Sequence, residues 1–188
     1  MNMTRNEAQQ SLETIHQVQR EIRRTLAIGG APFYMMLWGA IWFLGYLGSH
    51  FLPPKTAGDL WGALVAMGFI LSFVIGWKLS TKVRTPGYDA RIGIFWLLWI
   101  IYTFLIVWLG GFDSNPTLMS LFISIMAMFG YVVMGLWLWT PLTWIGLGVT
   151  VIIVLAYILV PAYINLVMAV LGGGVLFFSG LYIYRSWR

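Results

Sequence analysis

The chain of 188 residues contains no cysteine and few charged residues. The absence of cysteine excludes disulfide bonds, thiolate catalysis, metal sites with cysteine ligands and palmitoylation. Charged residues make up 9% of the sequence, whereas hydrophobic residues make up 60%. A soluble domain of this length needs more polar side chains to cover its surface. The composition therefore predicts an integral membrane protein.

The apolar residues occur in six stretches, each close to the ~20 residues that cross about 30 Å of hydrocarbon as a helix. We predict an all-α integral membrane protein with six transmembrane helices arranged as three hairpins. Each predicted outer turn contains proline, which interrupts a helix. Residues 1–28 form a cytoplasmic extension and residues 29–188 the six-helix bundle. The predicted spans are residues 32–51, 60–79, 92–109, 118–138, 142–160 and 164–184.

The basic residues are unevenly distributed around the spans. With a cytoplasmic N-terminus, every lysine and arginine except Lys55 falls on the cytoplasmic side. Because positive charge near short loops stays in the cytoplasm, this predicts that both termini lie inside. The short loops favour a prokaryotic inner (plasma) membrane. The net charge of +5 comes from basic residues that flank helices. We therefore expect these residues to contact anionic lipid headgroups and not nucleic acid. The predicted headgroup contacts are Arg20, Arg23, Arg24, Lys82 and Arg84.

The N-terminal extension has the pattern of an amphipathic helix. Thr4 and Glu7 have the spacing of a capping box, which predicts a helix start. Downstream, one seam with a heptad period is formed by Ala8, Leu12, Ile15, Gln19, Ile22 and Leu26. A polar Gln19 on an apolar seam helps to fix register with a partner helix. Three surfaces remain open for this seam: a second copy, a different protein, or the bilayer or bundle of this same chain.

Small residues at helical spacing predict where helices pack, because they allow close backbone approach in lipid. The second span carries two such rows. The first row contains Gly58, Gly62 and Ala66, and the second contains Gly68, Ser72 and Gly76. Ser120 and Ser124 have similar spacing in the fourth span. In the sixth span Gly173 lies within three consecutive glycines, which weaken the helix near mid-span. Ordinary helix packing is the preferred interpretation of this run, and a bend or the close approach of a ligand is the alternative.

The spans contain almost no charged residues, so a transport mechanism that depends on a midplane carboxylate is disfavoured. His16 lies in the extension and His50 at the outer edge of the first span, which disfavours a b-type haem held between two histidines. The sequence predicts no catalytic residue, no metal ligand and no cofactor.

Aromatic residues make up 17% of the chain. Many of the tryptophans fit interfacial belts, whereas Trp38, Trp42 and Trp99 fall deeper. A lipid-facing aromatic surface is the preferred interpretation of these three, and a pocket that binds a flat hydrophobic ligand is the alternative. The polar side chains expected to bridge helices by hydrogen bonds are Thr103, Tyr131, Tyr157 and Asn165.

These patterns predict a non-enzymatic accessory, scaffold or regulatory subunit that docks a partner through its N-terminal helix. Its expected partners are membrane lipids and another protein or further copies of the chain. The alternative is a small homo-oligomeric transporter or channel for a hydrophobic or neutral solute. That alternative uses the glycine run of the sixth span and the deep aromatic residues as its pathway.

Overall fold

The computed structural model describes residues 13–14, 17, 30–80, 90–111, 115–137 and 140–186. Within these ranges the chain is helical and contains no strand. Five long helices are followed by a sixth span, Pro161–Ser186, which begins with a 3₁₀ turn, Pro161–Tyr163. The helices are α1 (Ala31–Phe51), α2 (Pro54–Ser80), α3 (Ala90–Gly110), α4 (Pro116–Trp137) and α5 (Thr140–Leu159), and the sixth span continues with α6 (Ile164–Val167), a π-helical segment (Met168–Gly174) and α7 (Val175–Ser186).

Six of these segments are long and apolar enough to cross a membrane. The predicted all-α class and the predicted number of spans are therefore confirmed, and the chain has the character of a multi-pass membrane protein. The arrangement as three hairpins and the side of the membrane on which each terminus lies stay predictions.

Local sequence determines where the helices begin. Gly30 has a φ of 83°, which only glycine adopts readily, and its carbonyl accepts hydrogen bonds from the amides of Phe33 and Tyr34. At α4 the side-chain oxygen of Asn115 accepts a hydrogen bond from the Leu118 amide at 3.1 Å, so Asn115 caps the helix directly before Pro116. These caps satisfy amides that have no partner within the helix.

Helix α2 begins at Pro54, ahead of the predicted start at residue 60. Proline is favoured in the first turn of a helix because its missing amide is not needed there. The first turns also contain the polar residues Lys55, Thr56 and Asp59, which are exposed. A prediction based on hydropathy omits such polar turns, since it locates the apolar part of a helix and not its end.

The six spans do not contribute equally to the interior. Buried residues account for 44% of the most apolar window of α1 and 39% of that of the sixth span, but for 11% in α2 and α3. The most extensive packing joins α1 to the sixth span and α4 to α5, while α2 packs on α1 and α3 packs on α4. The largest buried cluster takes no side chain from α3. Helix α2 contributes Leu64 to this cluster, but most of the α2 surface and of the α3 surface lies at the periphery.

Glycine allows α1 and the sixth span to cross with their backbones in contact. A Cβ placed on Gly39 would lie 2.5 Å from the Phe177 amide nitrogen and 2.8 Å from the Gly173 carbonyl oxygen. A Cβ on Gly173 would lie 2.5 Å from the Phe43 amide nitrogen and 2.8 Å from the Gly39 carbonyl oxygen. The two contacts are reciprocal: a side chain at either glycine would clash with the backbone of the other glycine. Close backbone approach of this kind gives the van der Waals contact that holds helices together in lipid.

The crossing coincides with the π-helical segment Met168–Gly174. Its residues Gly172 and Gly173 are buried against α1, where a Cβ on Gly172 would lie 3.5 Å from the Trp42 ring. Three glycines in succession lower the helical propensity, and π-helical turns are wider than α-helical ones. The sixth span therefore passes the crossing as a π-helical segment.

Candidate functional site

A polar cluster lies inside the bundle at the end where α1 finishes and where α2, α4 and the sixth span begin. We call it the Tyr46 cluster, and its members are Tyr46, Ser49, Trp61, Ser120, Ser124 and Asn165. Successive membrane spans run in opposite directions, so the end of one helix lies beside the start of the next. This is why residues far apart in sequence meet here.

The hydroxyl of Tyr46 is the centre of the cluster. The Ser120 hydroxyl donates to the Tyr46 oxygen at 3.1 Å, and the hydroxyls of Tyr46 and Ser124 are hydrogen-bonded to each other. The Ser124 hydroxyl also donates to the Ser120 carbonyl at 2.8 Å. Ser120 and Ser124 are one helical turn apart and therefore share a face of α4. Tyr46 is 3% exposed and Ser124 is fully buried, so these bonds join α1 to α4 in the interior.

Ser49 connects the same end of α1 to two other spans. The Trp61 indole nitrogen on α2 donates to the Ser49 hydroxyl at 2.9 Å. Asn165 on the sixth span donates from Nδ2 to the Ser49 carbonyl at 3.3 Å. The Ser49 hydroxyl donates to the Gly45 carbonyl at 3.0 Å. Four spans are thereby linked through neutral hydrogen bonds, which matters because lipid supplies no partners for buried polar groups.

Aromatic rings surround the centre of the cluster. The Tyr46 ring packs edge-on against Trp61 with ring centroids 5.1 Å apart and against Trp42 with ring centroids 5.9 Å apart. Such edge-to-face pairs stabilise the position of the phenol beyond the area they bury. The tyrosine is therefore held both at its ring and at its hydroxyl.

A small cavity adjoins the cluster and has about the space that one water molecule needs. Its walls combine hydroxyl and amide groups with apolar side chains, and they are formed by Tyr46, Thr117, Ser120, Leu121, Ile164, Asn165 and Met168. Thr117 is exposed, so the polar wall reaches the surface of the bundle at the first turn of α4. All the polar groups of this wall are neutral, which suits the exchange of hydrogen bonds with a neutral molecule.

The three tryptophans predicted to line a pocket lie at three different helix contacts. The Trp38 indole nitrogen donates to the Ser72 hydroxyl on α2 at 3.2 Å. The Trp42 ring is buried near Tyr46 and Gly172. Trp99 lies between α3 and α4 beside Trp96, and its buried indole nitrogen has no hydrogen-bond partner in the described part of the chain. The described contacts do not bring these three side chains together.

The two rows of small residues on α2 have different surroundings. Gly68, Ser72 and Gly76 face α1: a Cβ on Gly68 would lie 2.5 Å from Ile41, and one on Gly76 would lie 3.1 Å from the Tyr34 hydroxyl. That hydroxyl donates to the Ser72 carbonyl at 3.3 Å. In the other row, Gly58, Gly62 and Ala66 are exposed, and no atom lies within 4 Å of a Cβ on either glycine.

Several predicted residues lie outside the described residues. These are the seam positions Leu12, Ile15, Gln19, Ile22 and Leu26 and the headgroup contacts Arg20, Arg23, Arg24, Lys82 and Arg84. In the same extension, Glu13, Thr14 and Gln17 are described, and all three are helical and exposed. They occupy positions off the predicted seam. The docking and headgroup assignments stay predictions.

Sequence reasoning singled out part of the Tyr46 cluster. Asn165 was expected to bridge helices and does so, whereas the Thr103 hydroxyl bonds to the Trp99 carbonyl of its own helix at 2.8 Å. Tyr46 itself was missed, because it sits between Gly45 and Leu47 with nothing nearby to mark it as polar. The spacing of Ser120 and Ser124 was the available signal, but it does not say which helix lies opposite.

Among the described residues, no group of three or more histidine, cysteine, aspartate or glutamate side chains is placed to hold a metal ion. Comparisons of the chain with models of protein families, with curated proteins and with solved structures find no match. Function is therefore argued from the chain itself.

Proposed function

We propose that this chain is a non-enzymatic accessory, scaffold or regulatory subunit of a membrane complex, which docks a partner through its N-terminal helix. The observation that carries the proposal is the unequal burial of the spans. Helices α2 and α3 each bury 11% of their most apolar window, the smallest share among the six spans. Two of six spans thus present most of their surface outward, where lipid or a partner helix covers it.

The composition of the outward surface supports lateral assembly. Large aromatic side chains point outward, with Phe73 on α2 76% exposed and Trp108 on α3 77% exposed. On α2 they are accompanied by the exposed glycines Gly58 and Gly62, whose faces are open. Small residues on a lipid-facing helix allow another helix to approach closely.

The N-terminal extension connects directly to α1, so a partner bound to the extension can act on the bundle through that helix. The chain passes from the extension through Gly30 directly into α1, the span with the highest buried fraction. Helix α1 also contacts α2, α6, the π-helical segment and α7. A partner that holds the N-terminal helix therefore acts on the most central span. We further propose that both termini are cytoplasmic and that the protein resides in a prokaryotic inner membrane, on the basis of the basic residues.

The docking proposal is tested with a pair of charge variants. Leu12→Asp with Ile22→Asp places two carboxylates on the predicted seam, whereas Gln10→Asp with Gln17→Asp places two carboxylates on the opposite side of the same helix. Each form is purified in mild detergent from its native membrane, and co-purifying proteins are quantified.

We expect the seam variant to lose a specific partner that the wild-type chain and the control variant retain, because burying a carboxylate in an apolar contact is costly. Size-exclusion chromatography reports whether the bundle stays folded. Equal recovery of the same proteins with all three forms contradicts the proposal.

The second candidate function is that of a small homo-oligomeric transporter or channel for a hydrophobic or neutral solute, with the cavity beside Tyr46 as a polar point on its pathway. If the solute passes through this cavity, a change in its polar wall changes the rate of uptake. Purified protein in liposomes is assayed for uptake of small neutral solutes, with Ser120→Ala as the altered wall. Solute uptake by the wild-type protein that is lost in the variant supports transport, and the absence of uptake by the wild-type protein counts against it.

A further inference from the structure

Three hydroxyl protons serve the hydrogen bonds around Tyr46, those of Tyr46, Ser120 and Ser124. Ser120 donates its hydroxyl proton to the Tyr46 oxygen, and Ser124 donates its proton to the Ser120 carbonyl. The single proton of the Tyr46 hydroxyl has two acceptors within reach, the Ser120 carbonyl at 3.4 Å and the Ser124 hydroxyl. All three hydroxyl protons are then in use.

Two acceptors on the cavity wall remain without a donor among the described residues. The Ser120 hydroxyl oxygen donates its proton but accepts none. Asn165 donates through Nδ2 to the Ser49 carbonyl, and its Oδ1 accepts no hydrogen bond. Ser120 and Asn165 belong to α4 and to the sixth span, and both line the same cavity. A molecule in the cavity that donates two hydrogen bonds satisfies both acceptors.

We propose that this cavity is a binding site for one ordered water molecule, which donates to the Ser120 hydroxyl oxygen and to Asn165 Oδ1. The cavity has about the space of one water and offers the polar partners that a buried water needs. The exposed Thr117 at the first turn of α4 marks the route by which the water exchanges. The water extends the Tyr46 cluster into a junction that joins α4 to the sixth span.

Hydroxyl-radical footprinting with a brief X-ray pulse tests this site, because radicals form from water and react with side chains next to it. Met168 lines the cavity, and Met128 on α4 does not. Both side chains are buried, with exposed fractions of 2% and 0%, so bulk solvent does not distinguish them. In the wild-type protein in detergent, we expect oxidation of Met168 well above that of Met128. Equal oxidation of the two methionines overturns the proposal.

Variants test whether the two acceptors hold the water. Asn165→Leu replaces Oδ1 and Nδ2 of the branched side chain with methyl groups, and Ser120→Val replaces the hydroxyl with methyl groups. For each variant that elutes as a folded protein, we expect oxidation of Met168 to fall to the level of Met128. Thr150→Val is the matched control, because the Thr150 hydroxyl bonds to the Gly146 carbonyl and lies outside the cavity wall.

Should Asn165→Leu not fold, Ser120→Ala is the smaller change, and it must lower Met168 oxidation while the control does not. Oxidation of Met168 that persists unchanged in the folded variants overturns the proposal, since a water held by these acceptors leaves when they are removed. A role of Asn165 in packing alone would not change the labelling of Met168.

Discussion

The crossing of α1 with the sixth span makes a quantitative prediction for single methyl groups. In Gly39→Ala the new Cβ lies 2.5 Å from the Phe177 amide nitrogen, whereas ordinary contact begins near 3.4 Å. The neighbouring backbone must therefore withdraw by about 0.9 Å, the difference between 3.4 and 2.5 Å. Backbone withdraws less readily than the end of a flexible side chain. Overpacking of this kind costs about 1–3 kcal/mol.

The matched control is Gly62→Ala on α2, where no atom lies within 4 Å of the added Cβ. Alanine is favoured over glycine in a helix by up to about 1 kcal/mol, and this gain applies to both variants. We expect the free energy of unfolding to rise slightly in Gly62→Ala and to fall by about 1–3 kcal/mol in Gly39→Ala. The assay is reversible unfolding in mixed detergent micelles, followed by circular dichroism and tryptophan fluorescence.

A double-mutant cycle with Gly173→Ala sharpens the test. Each of the two glycines contacts the backbone beside the other, so one separation of the helices relieves both clashes. We expect the double variant to lose less stability than the sum of the single losses. The reasoning is refuted if Gly39→Ala is tolerated as well as Gly62→Ala, or if the losses at Gly39 and Gly173 add without interaction.

Three further predictions follow from the described contacts and the charge pattern. Tyr46→Phe removes the hydroxyl that joins α1 to α4, and we expect a loss of about 1–2 kcal/mol in the same unfolding assay. Trp99→Phe removes a buried indole nitrogen that has no described partner, whereas Trp61→Phe also breaks a hydrogen bond to Ser49, so the second should cost about 1–2 kcal/mol more. In the cysteine-free chain, single cysteines at positions 11 and 56 report topology: a membrane-impermeant maleimide should label Thr56→Cys in intact cells and Ser11→Cys only after lysis.

Each of these predictions has its own control. Tyr157→Phe changes an exposed tyrosine that is 45% accessible, and it should leave the unfolding free energy within about 0.5 kcal/mol of wild type. A loss in Tyr157→Phe equal to that in Tyr46→Phe contradicts the role given to the cluster. Equal costs for the two tryptophan variants contradict the hydrogen-bond argument, and labelling of position 11 in intact cells contradicts the proposed topology.

The number of spans was predictable because the signal is local. Roughly 20 apolar residues are needed for each crossing, and this requirement is visible in any one stretch of sequence without knowledge of the others. The start of α2 at Pro54 was missed because its first turns are polar, although the proline itself marks a helix start.

The arrangement of the helices was not predictable in the same way. The row of Gly68, Ser72 and Gly76 and the row of Gly58, Gly62 and Ala66 look alike in the sequence, yet one faces α1 and the other is exposed. Periodicity shows which residues share a face of a helix but not which neighbour that face meets. That choice depends on contacts between residues distant in sequence.

The Tyr46 cluster shows the same limit at the level of a site. Asn165 and the pair Ser120 and Ser124 were visible as polar residues within apolar spans, but Tyr46 was not singled out. Their meeting depends on how far each helix extends along its neighbours and on how it is rotated about its axis. The close crossing at Gly39 and Gly173 is one of the contacts that determine both.

We propose that this protein is a subunit of a larger membrane complex, and native mass spectrometry of the protein, extracted gently from its own membrane, is the decisive experiment because it records stoichiometry and bound molecules together. We expect a reproducible complex with a different protein at fixed stoichiometry, which the Leu12→Asp and Ile22→Asp double variant loses. A monomer or homo-oligomer that carries only lipid or another small molecule would contradict the proposal.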